Sequence, residues 1–162
     1  MTKDYPAVSW WSASAPVSEV AVGSPLWVGV RLAFTAAGRI FGFRQYLKAP
    51  DSGDHWLIFW DEDAQHLIFA REFKNVVWGA SNGWQQVWPH PAFRPTIGTH
   101  YRLAILYTGL SYFRTASVLA SPVTHNSIQF IKGFTATALD PLLATPTLNN
   151  FANGVDVLYH LD

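Results

Sequence analysis

Carboxylates that could carry acid–base chemistry are concentrated in one short part of the sequence. They are Asp51, Asp54, Asp61, Glu62 and Asp63. Two carboxylates at a suitable separation can hydrolyse a glycosidic bond. All five, however, stand in segments with the composition of turns, where Asp side chains bond to nearby backbone N–H groups. We therefore predict that these carboxylates organise turns, and we predict no catalytic residue.

Metal-binding and nucleophilic motifs are weaker still. The chain has six histidines and no cysteine, and no two histidines have the i, i+4 spacing of a helical zinc motif. An alternative metal site is a calcium site formed by the Asp51 and Asp54 carboxylates with the carbonyl groups of Ser52 and Gly53. The ordered ligand pattern of a calcium-binding loop is, however, missing. Serine residues lie mainly in loops without a neighbouring histidine, and the sequence contains no phosphate-binding glycine loop. We predict no metal, no cofactor and no enzymatic activity.

Tryptophan supplies the remaining candidates for a binding site. The sequence contains eight Trp, and flat indole rings stack well on the apolar faces of sugars. The contacts that we predict, to a ligand or to a second subunit, are Trp10, Trp11, Trp78, Trp84 and Trp88. The alternative for Trp10 and Trp11 is that they cover the open end of the fold. The alternative for Trp27, Trp84 and Trp88 is packing against a sheet face or a neighbouring subunit.

The composition narrows the classes of function. The 162 residues carry no net charge, whereas nucleic-acid binding favours a basic excess. No apolar run has signal-peptide length at the start, and none approaches the ~18 residues that span a bilayer. We expect no nucleic-acid partner, no membrane insertion, and synthesis in the cytoplasm without a signal peptide. Charged residues make up only 14%, against roughly 25% in average soluble domains, which favours a surface partly covered by a partner.

Short alternating strands must position these residues. From Leu26 to Phe34, and again from Tyr101 to Tyr107, apolar side chains recur at every second position, as in a strand with one face on a core. Arg31 and Arg102 each lie on the other face of their strand, the face turned away from the core. We predict a strand at 39–48 that forms a hairpin with 26–34, with Phe41, Phe43 and Leu47 on one face and Ile40, Gly42, Arg44 and Tyr46 on the other. The further predicted strands are 55–61 as a central strand, 65–73 with Leu67, Phe69 and Phe73 inward, 84–88, 110–115, 127–132 and 154–161. A helical turn is predicted within 136–143.

The spacing of strands and turns predicts the fold class. No sustained helical period and no internal repeat is present, and turn signals recur every eight to twelve residues. We predict an all-β fold, an antiparallel two-sheet β-sandwich that is jelly-roll-like. Residues 1–24 are assigned to an N-terminal arm or edge strand, with a short strand at Val8–Trp11, and residues 25–162 to a single domain.

Several segments, in this order, resemble a known family. They are VGVRLAF at 28–34, GRIFGFRQY at 38–46, SGDHWLIFWDEDAQHLIFAREF at 52–73, GWQQV at 83–87 with GTHYRLAIL at 98–106, and GVDVLY at 154–159. The order resembles that of uncharacterised bacterial and phage β-sandwich domains often appended to extracellular, carbohydrate-active proteins. Gly154 replaces an aromatic residue of the family, and Asp63–Ala64 replaces a turn glycine. The resemblance implies a non-catalytic, jelly-roll-like module of adhesive or structural type.

These observations favour a structural and interaction module that works as a subunit of a larger assembly. A tailed-phage virion fits, because its subunits are made in the cytoplasm and act outside the cell; the chain would be a tail or baseplate component or a capsid decoration protein. Its partners would be copies of itself or other virion subunits. The alternative is an extracellular carbohydrate-binding module that recognises cell-surface glycans through Trp78 and Trp84. A third hypothesis, a glycosidase or lyase, requires a cleft with convergent carboxylates.

Overall fold

The computed structural model describes residues 7–22, 25–48, 51–78, 82–87, 92–107, 111–137 and 146–162, and only the backbone of 51–54, 73–78 and 87. These residues form β-strands and contain no helix, which confirms the all-β prediction. The strands are β1 (Ser18–Ala21), β2 (Leu26–Phe34), β3 (Gly38–Leu47), β4 (Asp51–Asp61), β5 (His66–Trp78), β6 (Gly83–Val87), β7 (Tyr101–Tyr107), β8 (Ser111–Thr115), β9 (Val123–His125), β10 (Ile128–Ala136), β11 (Thr147–Asn149), β12 (Ala152–Asn153) and β13 (Val155–Leu161).

The strands form one large sheet and two small ones. The seven-stranded sheet has the order β11-β10-β2-β7-β4-β5, with β9 added alongside β10. The three-stranded sheets have the orders β1-β8-β12 and β13-β3-β6. The small sheets adjoin at Gly154, whose N–H donates to the Phe113 carbonyl and whose carbonyl accepts from the Tyr46 N–H. The last strands therefore pass from one small sheet directly into the other.

The main core is formed by apolar side chains from the large sheet and from the small sheets together. Val30, Leu32 and Leu103 contribute from the large sheet, while Ile40 and Val157 contribute from the small sheets, and all five are fully buried. Burial of such side chains away from water is the dominant favourable contribution to folding. An apolar core shared between facing antiparallel sheets is consistent with a β-sandwich.

The alternation predicted for β2 and β7 is confirmed by their register. Val28 pairs with Ile105 and belongs with it to the main core. Between such pairs, Gly29 faces Ala104, and Ala104 belongs to a second, smaller apolar cluster on the other side of the sheet. β4 is likewise a central strand as predicted, because it pairs with β7 on one edge and with β5 on the other.

The predicted hairpin between the second and third strands is wrong. β2 pairs with β7 and β10, whereas β3 pairs with β13 and β6 in a different sheet. The three residues of the connection, 35–37, carry the chain from the large sheet to a small one. Both strands place an apolar face on the same core, and that pattern arises equally whether two strands pair or face each other across the core.

Bulges account for the side chains whose predicted direction is wrong. Leu158 pairs with Gly42 and Tyr159 with Ile40, so Phe41 is an extra residue in β3. Ile40 consequently lies in the main core, and the half-buried Phe41 packs beside the ring of His160. A second irregularity in β5 leaves Leu67 partly exposed, while Ile68 packs against the core. An inserted residue shifts every later position to the opposite face.

The end of the chain and the N-terminal segment belong to the same folded body. Val8 forms a two-way backbone bridge with Tyr159, and β1 pairs with β8. The strand predicted at 127–132 is present as the longer β10, which contains an irregularity between Phe130 and Lys132. Of the predicted helical turn at 136–143, Ala136 ends β10 and residues 138–143 lie outside the described residues.

Candidate ligand-binding notch on the outer face of the large sheet

The outer face of the seven-stranded sheet, the face turned away from the main core, carries three cross-strand rows of side chains. Strand alternation and register define these rows, since directly opposed residues share a face. The first row is Trp56, Leu106, Trp27 and Ala136; the second is Ile58, Ala104, Gly29 and Phe134; the third is Trp60, Arg102, Arg31 and Lys132. Two rows are thus apolar, and the third turns from aromatic to basic.

A concave site, which we call the outer notch, lies where the basic row meets β11. Its volume is about 170 Å³, and its lining is Arg31, Glu62, Arg102, Phe134, Pro146 and Leu148. One end of the outer notch is charged and the other is apolar. Sites that hold small organic molecules combine an apolar wall with a few fixed polar groups in this way.

Glu62 organises the charged end of the outer notch. Its carboxylate accepts hydrogen bonds from Arg31 Nε at 3.1 Å and Arg102 Nε at 3.2 Å, and Arg31 Nη2 lies 3.0 Å from its other oxygen. The turn that carries Glu62 is fixed to the residue before β7, because the Glu62 N–H donates to the His100 carbonyl at 2.9 Å. The carboxylate is therefore held between two guanidinium groups.

The two arginines are direct cross-strand neighbours. Arg31 is paired with Arg102 in the register of β2 and β7, and like charges in this relation are destabilising. With one carboxylate between two guanidinium groups, the charged end carries +2 − 1 = +1. Among the residues that the structure describes, Arg102 bonds only through Nε, so its two amino nitrogens remain available to a ligand.

Phe134 forms the apolar floor, and Gly29 makes room for it. A Cβ atom at position 29 would lie 2.8 Å from both the Phe134 ring and Ala104 Cβ, closer than carbon atoms pack. The Arg102 guanidinium lies 6.0 Å from the centre of the Phe134 ring, at the limit of a cation–π contact. Leu148, which pairs with Phe134 across β10 and β11, adds a partly exposed side chain to the wall.

The predicted contacts Trp10 and Trp11 lie in the main core of the chain itself, 3% and 6% exposed. The Trp10 ring is stacked between Phe130, at 4.3 Å between ring centres, and His125, at 4.6 Å. Trp11 Nε1 donates to the Asn153 carbonyl at 3.3 Å. Both rings are enclosed by the chain's own residues, which leaves little surface for a sugar or a second subunit.

A buried ion pair holds these two tryptophans in place. The Asp156 carboxylate accepts the backbone N–H groups of Trp10 and Trp11, each at 2.9 Å, and lies 2.8 Å from Arg44 Nη2. Arg44 also donates to Ser9 Oγ and the Ser12 carbonyl, both at 2.7 Å. Burial raises the pKa of Asp156, while Arg44 and the two N–H groups act in the opposite direction.

Trp84 covers this polar network from the outside. The Arg44 guanidinium lies 4.2 Å from the centre of its ring, and its indole N–H donates to the Ser14 carbonyl at 2.9 Å. Trp84 is thus packed onto the N-terminal segment, and Trp27 is buried in the first row of the outer face. The Trp78 side chain and all of Trp88 lie outside the described residues.

The carboxylates divide between turns and the outer notch. Asp61 Oδ1 accepts the Ala64 N–H at 2.8 Å, as predicted for turn chemistry, and Asp63 accepts the His100 N–H at 3.0 Å. Glu62 differs, because its backbone belongs to the turn while its carboxylate bonds to Arg31 and Arg102 in the outer notch. The side chains of Asp51 and Asp54 lie outside the described residues.

Two further features concern the described part of the chain alone. It contains no group of three or more His, Asp or Glu side chains placed to hold a metal ion. It also contains no helix long and apolar enough to cross a membrane.

Comparison with known proteins adds no relative to this description. No protein-family model matches the sequence, and no curated protein is significantly similar to it.

Proposed function

We propose that this protein is a non-enzymatic interaction module that works as a unit of a larger assembly. In this proposal the fold is a two-layer, jelly-roll-like sandwich, and the outer face of the large sheet is its contact surface. The observation that carries the proposal is a set of large apolar side chains left partly exposed on that face, Trp56 and Leu67 at 38% and Leu148 at 53%. Exposed apolar side chains that share one face are typical of protein contact sites.

The composition supports an assembly of many copies. Only 14% of the residues are charged and the net charge is zero, so electrostatic repulsion between copies is weak. A tailed-phage virion is the assembly that we propose, with the chain as a tail or baseplate component or a capsid decoration protein. The partners are then copies of this chain or other virion subunits.

Sedimentation velocity of the purified chain tests this function. We expect concentration-dependent association of the wild type, weakened in Leu67→Glu and Leu148→Glu, because a buried charge opposes an apolar contact. The matched control is Ile97→Glu, since Ile97 is 54% exposed in the turn before β7 and belongs to no strand of the large sheet. A wild type that stays monomeric at every concentration, or an equal effect of the control, contradicts the proposal.

Glycan recognition is a second candidate function, and the outer notch favours it. Guanidinium and carboxylate groups can bond sugar hydroxyls while neighbouring apolar side chains, here Pro146 and Leu148, contact the apolar sugar face. A glycan array tests this candidate. We expect a wild-type signal that falls in Arg102→Gln and persists in Arg39→Gln, because Arg39 is an exposed residue of β3 in a different sheet.

A further inference from the structure

We infer that the outer notch binds an acidic monosaccharide, with the ligand carboxylate on Arg102 and the sugar ring against Pro146 and Leu148, above the buried ring of Phe134. This inference rests on glycan recognition as the function of the notch. It adds the charge class of the sugar and the residue that selects it.

The charge of the outer notch selects an anion. Two guanidinium groups share one carboxylate, and the lining carries one uncompensated positive charge. Asp63, the residue after Glu62, accepts instead the backbone N–H of His100, lies 3.4 Å from the His100 ring nitrogen Nδ1, and does not line the notch. A ligand carboxylate would restore neutrality where two like charges are forced together, and guanidinium groups bind carboxylates through paired hydrogen bonds.

The hydrogen bonds assign different roles to the two arginines. Arg31 meets Glu62 through both Nε and Nη2, and Nη2 also approaches His100 Nδ1 at 3.4 Å. Arg102 meets Glu62 through Nε alone. Arg31 is therefore a positioning residue that holds Glu62, while the amino nitrogens of Arg102 are the donors for the ligand.

The shape of the outer notch favours a sugar ring over an extended chain. The volume of about 170 Å³ has room for one small ring, and the apolar wall stands directly beside the charged end. Glu62 can accept hydrogen bonds from ring hydroxyls at the same time. An uronic acid presents such a combination, since it has a carboxylate, hydroxyls and an apolar ring face.

Nuclear magnetic resonance titration of the full chain tests the inference. The probes are methyl β-glucuronide, the neutral methyl β-glucoside, and an acetylated dipeptide with a free terminal carboxylate. We expect millimolar binding of the glucuronide, about tenfold tighter than that of the glucoside, with shifts confined to β2, β7, β10, β11 and the turn that carries Glu62. Arg102→Gln should weaken glucuronide binding about tenfold, whereas Arg39→Gln should leave it unchanged.

A stability measurement separates binding from folding. Arg102→Gln removes one of two opposed like charges, so its midpoint of thermal unfolding should equal or exceed that of the wild type. If Arg102→Gln binds the glucuronide weakly but is as stable as the wild type, Arg102 is a ligand contact. If the variant loses binding and stability to the same degree, that role is contradicted. Equal binding of the glucoside overturns the acidic preference and leaves glycan recognition standing. Preferential binding of the dipeptide, or no binding of any probe, overturns the inference.

Discussion

Arg44 donates to the fully buried carboxylate of Asp156 at 2.8 Å, and this pair connects β3 to the last strand of the chain. The same carboxylate accepts the backbone N–H groups of Trp10 and Trp11. The Asp156 side chain thus connects β13 to β3 and to the N-terminal segment, three parts of the chain that lie far apart in sequence. Removing a single partner would leave the other charge buried without compensation.

Asp156→Asn should lower the free energy of unfolding by about 3 kcal/mol, because breaking a buried ion pair strands the opposite charge. The measurement is denaturant unfolding followed by tryptophan fluorescence. Asp162→Asn is the matched control, since Asp162 pairs with Arg94 at the exposed surface and such pairs add little stability. Equal effects of the two substitutions would show that Asp156 does not hold the N-terminal segment.

Trp84→Ala should loosen the N-terminal segment more than the rest of the fold. The substitution removes the ring that covers Arg44 and the hydrogen bond to the Ser14 carbonyl, at a cost of about 2 kcal/mol for a half-buried ring. Hydrogen exchange should accelerate at the Trp10 and Trp11 amides, while those in β7 stay protected. Uniform acceleration throughout the protein would argue against a local covering role.

Gly29→Ala should destabilise the large sheet by about 2 kcal/mol, because the new methyl group would collide with the Leu103 carbonyl as well as with the Phe134 ring. Thermal unfolding measures the effect. Gly98→Asn is the control, because Gly98 has a φ of 81° and open space around a Cβ atom, and Asn tolerates the left-handed region. A near-neutral Gly29→Ala would mean that the backbone at Leu103, as well as the Phe134 ring, can move aside.

Alkaline pH should destabilise the protein through Tyr159. Burial raises the pKa of this phenol from 10.0 to about 12, so over that window the unfolded chain releases a proton that the folded chain retains. Because the unfolded state then binds fewer protons, the free energy of unfolding falls as pH rises. Below pH 10 the phenol is protonated in both states, and this effect vanishes.

Tyr159→Phe tests this pH dependence. The variant loses the hydrogen bond to the Ala36 carbonyl and should be less stable than the wild type at neutral pH. The gap between the two proteins should narrow as pH rises through the window between 10.0 and about 12. Two parallel stability curves from denaturant unfolding at each pH would contradict the assignment.

The faces of individual strands could be predicted from sequence wherever the strands are regular. β2 and β7 follow their periodicity because neither contains an inserted residue relative to the other. Phe41 interrupts β3, and its bulge reverses the predicted faces on one side of it. Periodicity also carries no information about partners, so the sequence predicts a pairing of β2 with β3, although the two strands belong to different sheets that share the main core.

Only part of the outer notch could be predicted from the sequence. Alternation places Arg31 and Arg102 on the faces turned away from the core, and that direction is confirmed. Their adjacency depends on the pairing of β2 with β7, which joins segments about seventy positions apart. Glu62 had the composition of an ordinary turn residue, and its second role follows only from where that turn lies relative to β7.

The large sequence separation between Asp156 and Trp10 also determines the order of folding events. The hydrogen bond between the Asp156 carboxylate and the Trp10 amide spans 146 positions of the chain, so residue 10 cannot reach its final place until the chain has been synthesised beyond residue 156. Contacts this distant in sequence form slowly, because closing the intervening chain loses entropy before any contact compensates. The indole fluorescence of Trp10 and Trp11 should therefore report the closing step of folding, after the large sheet has assembled.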